Sequence, residues 1–576
     1  RALRALLAQR ATLRRMPKQV PPWLSPLVLG AVALVAYLLA GPLTFPMDDA
    51  YIHAVYGRNL AELGALTFNT MPPDTGIGTT SIAWTLLLTA GAPVVGVVWA
   101  ARLLGMISFL ATLALVWVIT GWLLPGRPAA RTFVTSLVAL SGNLIWFSLS
   151  GMETMFWLAL GLGAVVAYQA RRWWLVGLLI GVMTLTRAEG VVLMAAVWAV
   201  ELYTTRRVSR GLLLATGLMV LLWAPWLLFM QAKTGAWLPT SFSGKKHAQV
   251  RGAVDIVQRS LPEGSADLDQ VTNAEQMRLP WWIALLYPAG VIGYGATFVA
   301  GAGYLPGPKI PLGGPLGEVS GGLSILGILA LLVVFLPTLI SGLRGTAVAA
   351  RERDAATHSA LLLLGVWVIL HNLAYWYKLP TPGTASRYQV VNHVAWWLLA
   401  GLGAVWLEAR PKRAATMLLA LLVVVNAAWW RGVYGADCRH MEQVRLASAA
   451  YLANDLPADA VVAAHDIGAL GWAGQRRILD MGGLIDPAYM QYAAEGRLRD
   501  WFIKEGAGYV VLPDKHSTET AGFYDYAAAL GLDEAHGFRL VPLAHFENDY
   551  EDWKLGAAPT WNALPGVTVY RLELLP

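Results

Sequence analysis

The chain has 576 residues, 56% of them hydrophobic and 14% charged, with 26 tryptophans and a mean hydropathy of +0.52. That balance excludes an ordinary soluble enzyme and leaves a polytopic membrane protein with an aqueous part. The net charge of +7 does not signal nucleic-acid affinity, because much of it sits at Arg1, Arg4, Arg10, Arg14, Arg15 and Lys18, and the single cysteine, Cys438, excludes an intramolecular disulfide and any cysteine-based metal site.

A basic start before the apolar run Pro21–Ala40 predicts a cytoplasmic N-terminus and a retained anchor. Phe45-Pro-Met-Asp-Asp-Ala-Tyr-Ile-His53 follows directly. Asp48 and Asp49 thus lie at a membrane–water boundary, where carboxylates are costly and point to function. Residues 50–63 read as an amphipathic helix along the surface, with Tyr51, Ile52, Val55, Tyr56, Leu60 and Leu63 on its apolar side and His53, Arg58, Asn59 and Glu62 at its polar positions. A carboxylate at such a helix start can serve as a general base, or merely cap the helix.

Further apolar runs lie at 95–121, 131–147, 153–169, 173–187, 189–203, 211–230, 322–341, 357–373, 392–408 and 414–431. With 23–40 they predict about eleven membrane-spanning helices. Arginines at 127, 131, 171, 172, 206, 207, 210, 344, 351, 353, 410 and 413, with Lys412, fall in alternate connections and mark the cytoplasmic side. Ser81–Val95 and Trp281–Ala300 do not fit as crossings and read as interfacial, re-entrant or part of a longer bent helix. The predicted division is a membrane domain, 1–431, and an outer α/β domain, 432–576. The membrane part carries a first outer loop, 41–80, and a long outer loop, 231–321. In the outer part the short apolar runs Ala460–Ala464, Tyr509–Leu512, Leu540–Pro542 and Val567–Tyr570 alternate with helix-like stretches.

The predicted outer face gathers charge. Lys245 and Lys246 follow hydroxyl-bearing residues in the long loop, and Arg187 and Arg387 sit at helix ends. Together they suit a phosphate, although a solvated loop and snorkelling side chains explain the same residues. Glu153 and Glu189 stand at the first turns of membrane helices, where dipole compensation is the plainer reading. His465-Asp466 before Gly468 reads as a structural strand-to-helix turn. No Walker loop, HExxH or GxSxG motif occurs.

The motif order carries a family resemblance. Asp48-Asp49-Ala-Tyr-Ile, Arg58-Asn59-Leu60 and Leu66-Thr-Phe-Asn69 lead to Thr79-Thr-Ser-Ile-Ala-Trp-Thr-Leu86. Ser150-Gly-Met-Glu-Thr154, Thr186-Arg-Ala-Glu-Gly190, Gly235-Ala-Trp-Leu-Pro-Thr-Ser241 with Lys245, and Ser386-Arg-Tyr388 follow. In the outer part come Asp466-Ile-Gly-Ala-Leu-Gly and Leu479-Asp-Met-Gly-Gly-Leu-Ile-Asp486. Over nearly its whole length the chain resembles the GT-C superfamily of integral-membrane glycosyltransferases, and within it the bacterial cell-wall arabinofuranosyltransferases. Asp74-Thr-Gly-Ile-Gly78 and the Gly/Pro-rich stretch Gly301–Gly322 depart from that pattern.

The resemblance implies a polyprenyl-phosphate sugar donor, a glycan, lipid or protein acceptor, and transfer on the outer face of the plasma membrane. Asp48 or Asp49 would be the base, and Arg187, Lys245, Lys246 and Arg387 would hold the donor phosphate. His53, Glu153, Glu189 and Tyr388 are candidate substrate contacts. A divalent metal on Asp48, Asp49 and His53 is the less favoured option. The rival class is a lipid or small-molecule transporter, which would place polar groups mid-span within inverted repeats.

Overall fold

The computed structural model describes residues 21–70, 74, 76–237, 293–310, 323–378, 383–407, 409–486, 488–514, 527, 530–549, 555 and 566–576. Each of the eleven long apolar runs predicted as spans coincides with one or two helices. Among the described residues, five helices are long and apolar enough to cross a membrane: Val97–Leu123, Arg210–Thr234, Ile325–Arg351, Ala355–Tyr377 and one within Arg413–Asp455. The run 131–147 is split into Pro128–Ala139 and Gly142–Leu149, bent by 57°, and makes a sixth span if the pair counts as one. Leu24–Leu38, Ile82–Val95, Thr154–Gln169, Trp173–Thr186 and Gly190–Thr205 are apolar but shorter. Ile82–Val95 ends at Gly96, whose φ of 77° breaks the chain into the next helix, Val97–Leu123. The Trp281–Ala300 stretch is described only from 293, where Gly293–Ala300 is helical.

Close backbone approach packs the bundle where small residues face each other. A Cβ on Gly403 would lie 1.7 Å from the Thr338 carbonyl oxygen, and one on Gly342 2.0 Å from that of Leu399. The helices Leu336–Arg351 and Val390–Trp406 therefore touch through backbone, which no larger residue at either position would allow.

The short apolar runs beyond residue 460 form strands of one five-stranded sheet: β1 Val461–Ala464, β2 Arg477–Asp480, β3 Tyr509–Pro513, β4 Phe538–Glu547 and β5 Gly566–Leu574. Their spatial order is β2-β1-β3-β5-β4. The β1–β2 and β1–β3 pairs are parallel, while β5 is antiparallel to both β3 and β4. Parallel pairs need crossovers, and these are supplied by Gly468–Ala473 between β1 and β2 and by Ala488–Ala494 and Leu498–Glu505 between β2 and β3.

One expectation is corrected here. The helix Asp48–Leu63 does not lie along an open surface; it is sandwiched. Ala50, Tyr51 and Ala54 belong to the core of the membrane helices. Ile52, Val55 and Tyr56 share a second core with Val462, Ile467, Leu470, Ile478, Ile485 and Val511 from the sheet-bearing part. Each such aliphatic side chain contributes about 1.5–3 kcal/mol by leaving water. The supposed polar positions His53 and Asn59 are buried as a result. Asn59 Nδ2 donates to the Thr67 and Phe68 carbonyls, at 3.0 and 2.9 Å.

The first outer loop is tied to the sheet edge. Asn69 Nδ2 donates to the Ile478 carbonyl at 2.8 Å, and Asn69 Oδ1 accepts from the Ile478 N–H at 2.9 Å. Asp74 fixes this loop by accepting from the Phe68 and Asn69 N–H groups, both at 2.8 Å. Asp74, which opens the departing segment, is thus built into the loop's framework.

At the end of β2, Asp480 accepts N–H bonds from Gly482, Leu484 and Ile485 and so shapes the turn carrying Leu484. Burial outweighs those donors and pushes its carboxyl up to about 6 from the ordinary 3.8. The folded protein then holds this proton more tightly than the unfolded chain does. The associated stability, on the order of 3 kcal/mol, is complete below the unfolded value and lost as pH rises through the folded one. Wild type should therefore gain thermal stability relative to Asp480→Asn as pH falls from 7.5 to 5. Melting curves in detergent at both pH values check the sign; a wild-type melting temperature that rises relative to the variant's between pH 5 and pH 7.5 would refute it.

Candidate active site

Asp48 and Asp49 open the same helix, with Met47 at the N-cap and no side-chain cap bond. Neither carboxylate caps its own helix. Successive helical residues point about 100° apart, and the two diverge accordingly. Asp48 turns toward the sheet-bearing part. Its Oδ2 accepts from the Gly468 N–H at 2.7 Å and its Oδ1 from the Ala469 N–H at 2.8 Å. Asp49 turns toward the membrane helices, where its Oδ2 lies 2.7 Å from Arg387 Nη2.

Asp49 lines a cavity of about 50 Å3, together with Ile52, His53, Gly78, Thr80, Met152, Glu153, Arg187, Arg387 and Leu484. That is room for a few waters. Six separate chain segments supply this lining, so the charge-bearing motifs at 48–53, 150–154, 186–190 and 386–388 do converge.

The two arginines have different surroundings. Arg187 lies between two carboxylates: Nη1 is 3.0 Å from Glu153 Oε1 and Nη2 is 3.1 Å from Glu189 Oε1. Nη2 also donates to the Tyr375 hydroxyl at 3.1 Å, and that hydroxyl donates to Glu189. Arg187 is thus locally neutralised. Arg387 gives Nη2 to Asp49 and sends Nη1 only to the Met47 thioether, at 3.5 Å, while its buried Nε has no hydrogen-bond partner among the described residues. Thioethers are weak acceptors, so this guanidinium keeps donor capacity beside the cavity. Its approach is forced by unusual backbone: Ala385 and Ser386 are left-handed, with φ of 53° and 59°. Each such non-glycine residue costs about 1–2 kcal/mol, which fits a segment held for position.

Tyr388 braces both cations. The Arg187 and Arg387 guanidinium carbons stand 5.0 and 5.2 Å from its ring centre, and Tyr375 stacks on it at 5.1 Å. On the opposite wall, His53 Nδ1 meets Thr79 Oγ1 at 2.9 Å and its Nε2 lies 3.6 Å from Glu153 Oε2. Asp48, Asp49 and His53 therefore engage three different sets of partners. Among the described residues no three His, Cys, Asp or Glu side chains gather as a metal-ligand set. Lys245 and Lys246 fall outside the described residues.

Sequence reasoning missed Tyr375, Thr79, Met152 and Leu484. Tyr375 lies just beyond the apolar run 357–373, in the last turn of the helix Ala355–Lys378, and Leu484 comes from the far part of the chain. A second charged cluster adjoins Asp48. Arg445 Nη1 is 2.7 Å from Asp466 Oδ2, and His465 Nδ1 is 3.1 Å from Asp466 Oδ1. The Arg445 charge and the His465 bond hold the half-buried Asp466 well below the usual carboxylate range. Desolvation, and after it the Asp466 charge, pushes the Asp48 carboxyl above its ordinary value.

This fold, a mainly helical membrane bundle with a cavity under a small mixed sheet, is that of the GT-C glycosyltransferases. ArnT from Cupriavidus metallidurans bound to undecaprenyl phosphate matches with a TM-score of 0.52 and 14% identity, over 94% of this chain and 97% of that one. The archaeal oligosaccharyltransferase AglB from Archaeoglobus fulgidus, in complex with an inhibitory peptide and a dolichol-phosphate, matches with a TM-score of 0.51 and 12% identity, over 85% of this chain and 69% of that one. Residues 434–570 match DUF8728, a domain of unknown function. No curated protein matches by sequence.

Proposed function

We propose that the protein transfers a sugar from a polyprenyl-phosphate donor to an acceptor hydroxyl, with Asp49 as base and Arg387 as the phosphate-holding cation. The observation that carries this reading is the Asp49–Arg387 pair at the cavity, in which Arg387 Nε has no hydrogen-bond partner among the described residues. The fold shared with a protein bound to undecaprenyl phosphate supports the lipid donor.

Asp49 removes the acceptor hydroxyl proton, the acceptor oxygen bonds to the anomeric carbon, and the bond from that carbon to the phosphate oxygen breaks. The electron pair leaves with the polyprenyl phosphate. One negative charge disappears from Asp49 as one appears on the phosphate, both beside the same guanidinium. That guanidinium needs no reorganisation as charge moves, which is how preset electrostatics lowers a barrier. Glu153 and Glu189 fix Arg187, and His53, Thr80 and Tyr388 shape the sugar side.

The alternate arginine-rich connections favour a cytoplasmic N-terminus and an outward cavity in the plasma membrane. Residues 1–431 would then form the catalytic membrane domain and 432–576 an outer domain. The motif order favours an arabinofuranosyl donor and a cell-envelope acceptor. Lys245 and Lys246 would add to the phosphate site from the long loop.

The test is turnover of polyprenyl-phosphate sugars by the purified protein, with release of the polyprenyl phosphate as readout. Enzyme activity liberates it in proportion to acceptor glycosylation. Transport of the intact donor across proteoliposomes without its cleavage would replace this reading with the transporter.

A further inference from the structure

We infer that the region matching a domain of unknown function, residues 434–570, is an obligatory part of the active site, and that Asp48 is the positioning residue through which it acts. The inference rests on the transferase reading above, but its structural half can be tested without it.

Three observations meet at this point. The first is the clamp itself: one carboxylate bridges two successive N–H groups, Gly468 and Ala469, some 420 residues away in sequence. Charge-assisted bonds of this kind are strong, and a carboxylate supplies both acceptors at once. The second is steric. A Cβ on Gly468 would lie 2.1 Å from the Asp48 carbonyl oxygen and 2.8 Å from Asp48 Oδ2. Glycine lets the two backbones close, and any other residue would force the clamp open from its far side. The third is the wall. The turn shaped by Asp480 brings Leu484 into the cavity lining opposite Asp49. A Cβ on Gly78 would lie 2.9 Å from Ile485 Cγ2 and 3.3 Å from the Leu484 carbonyl oxygen, so this contact too is backbone-close.

Asp48 and Asp49 are neighbours on one rigid helical turn. Fixing Asp48 against Gly468 and Ala469 fixes the direction in which Asp49 points. The clamp is in turn anchored to the membrane part. Arg445, which holds Asp466 two residues before Gly468, sits on the short π-helix Met441–Leu446 that directly continues the long helix Ala409–His440. Sheet, clamp and aspartate helix form one connected support for the base.

The experiment attacks the clamp from both sides, with Asp48→Asn, Gly468→Ala and the double variant. Each single variant should lower kcat by about ten-fold or more, since small misplacements of a reacting group are costly. The donor KM should stay within about two-fold, because Arg387 is untouched. The double variant should be no worse than the poorer single one, as both break the same contact. Amide exchange should quicken at Gly468, Ala469 and the first turn of Asp48–Leu63, with β1 and β3 still protected. Wild-type kcat in either single variant, or multiplicative losses in the double, would overturn the role in positioning. Unchanged exchange at Gly468 and Ala469 in both variants would overturn the clamp itself, whether or not the protein proves to be a transferase. Binding of undecaprenyl phosphate to the wild type, followed by native mass spectrometry, separates the two failures. No binding sinks the donor reading, whereas binding with undisturbed variants sinks this one.

Discussion

Asp49→Asn should abolish sugar transfer while leaving the fold intact. Asparagine keeps the shape and one acceptor oxygen toward Arg387, but it cannot take the hydroxyl proton. General-base assistance of this kind is worth about 10²–10⁴ in rate, so kcat should fall by at least two orders of magnitude with donor binding little changed. The contrast with Asp48→Asn is diagnostic. That change should be milder, and it should be mimicked by an alteration at Gly468. The assay is acceptor glycosylation at saturating donor, with thermal melting as a control for folding. Full activity of Asp49→Asn would remove the base from this cavity.

Arg387→Ala should be the other severe lesion, and a compound one. Its guanidinium holds Asp49, lines the cavity, and keeps an Nε donor with no partner among the described residues. Losing a charged contact costs roughly 1.5–3 kcal/mol, so the kcat/KM for the donor should drop about ten- to a hundred-fold. Release of Asp49 from its partner adds to that loss. Arg387→Lys should rescue poorly, because an ammonium cannot serve two directions from one planar fork. Arg187→Ala should behave differently. It strands Glu153 and Glu189, a buried-charge defect of about 3–5 kcal/mol, and should appear first as lost thermal stability. Donor titrations and melting curves on the three variants discriminate these outcomes. Wild-type donor kinetics in Arg387→Ala would remove the phosphate from this site.

The sequence reading reached the convergence of these motifs because chemistry concentrates where it is costly. Carboxylates at a membrane boundary and arginines at helix ends stand out against spans that are almost wholly apolar. Opposite charges at Glu153, Arg187 and Glu189 made their pairing foreseeable. The separate roles of Asp48 and Asp49 were not foreseeable, since they depend on which partner lies on each side of one helical turn. The partner that distinguishes them, Gly468, is hundreds of residues away. The burial of Asp48–Leu63 was hidden for the same reason. An amphipathic pattern records that a helix has two unlike sides, and the sheet that covers one of them leaves no mark within the helix. Tyr375 and Leu484 are ordinary residues for a span and a turn, and only tertiary contacts single them out. The strand β2 was passed over because Arg477–Asp480 is short and bracketed by charge.

The placing of β5 has a consequence for biogenesis. Gly566–Leu574 is inserted between β3 and β4, so the sheet cannot close until the ribosome has made residue 574. The aspartate helix, by contrast, is made long before that strand. Its carboxylates must wait through the synthesis of more than 500 residues before their cover exists, as the span from Asp49 to Leu574 shows. Pairings so distant in sequence are slow to form. A chain still being inserted therefore carries the reactive group without the wall that aims it. If the protein acts as proposed, newly made chains should stay inert toward lipid-linked sugar until translation has passed that strand.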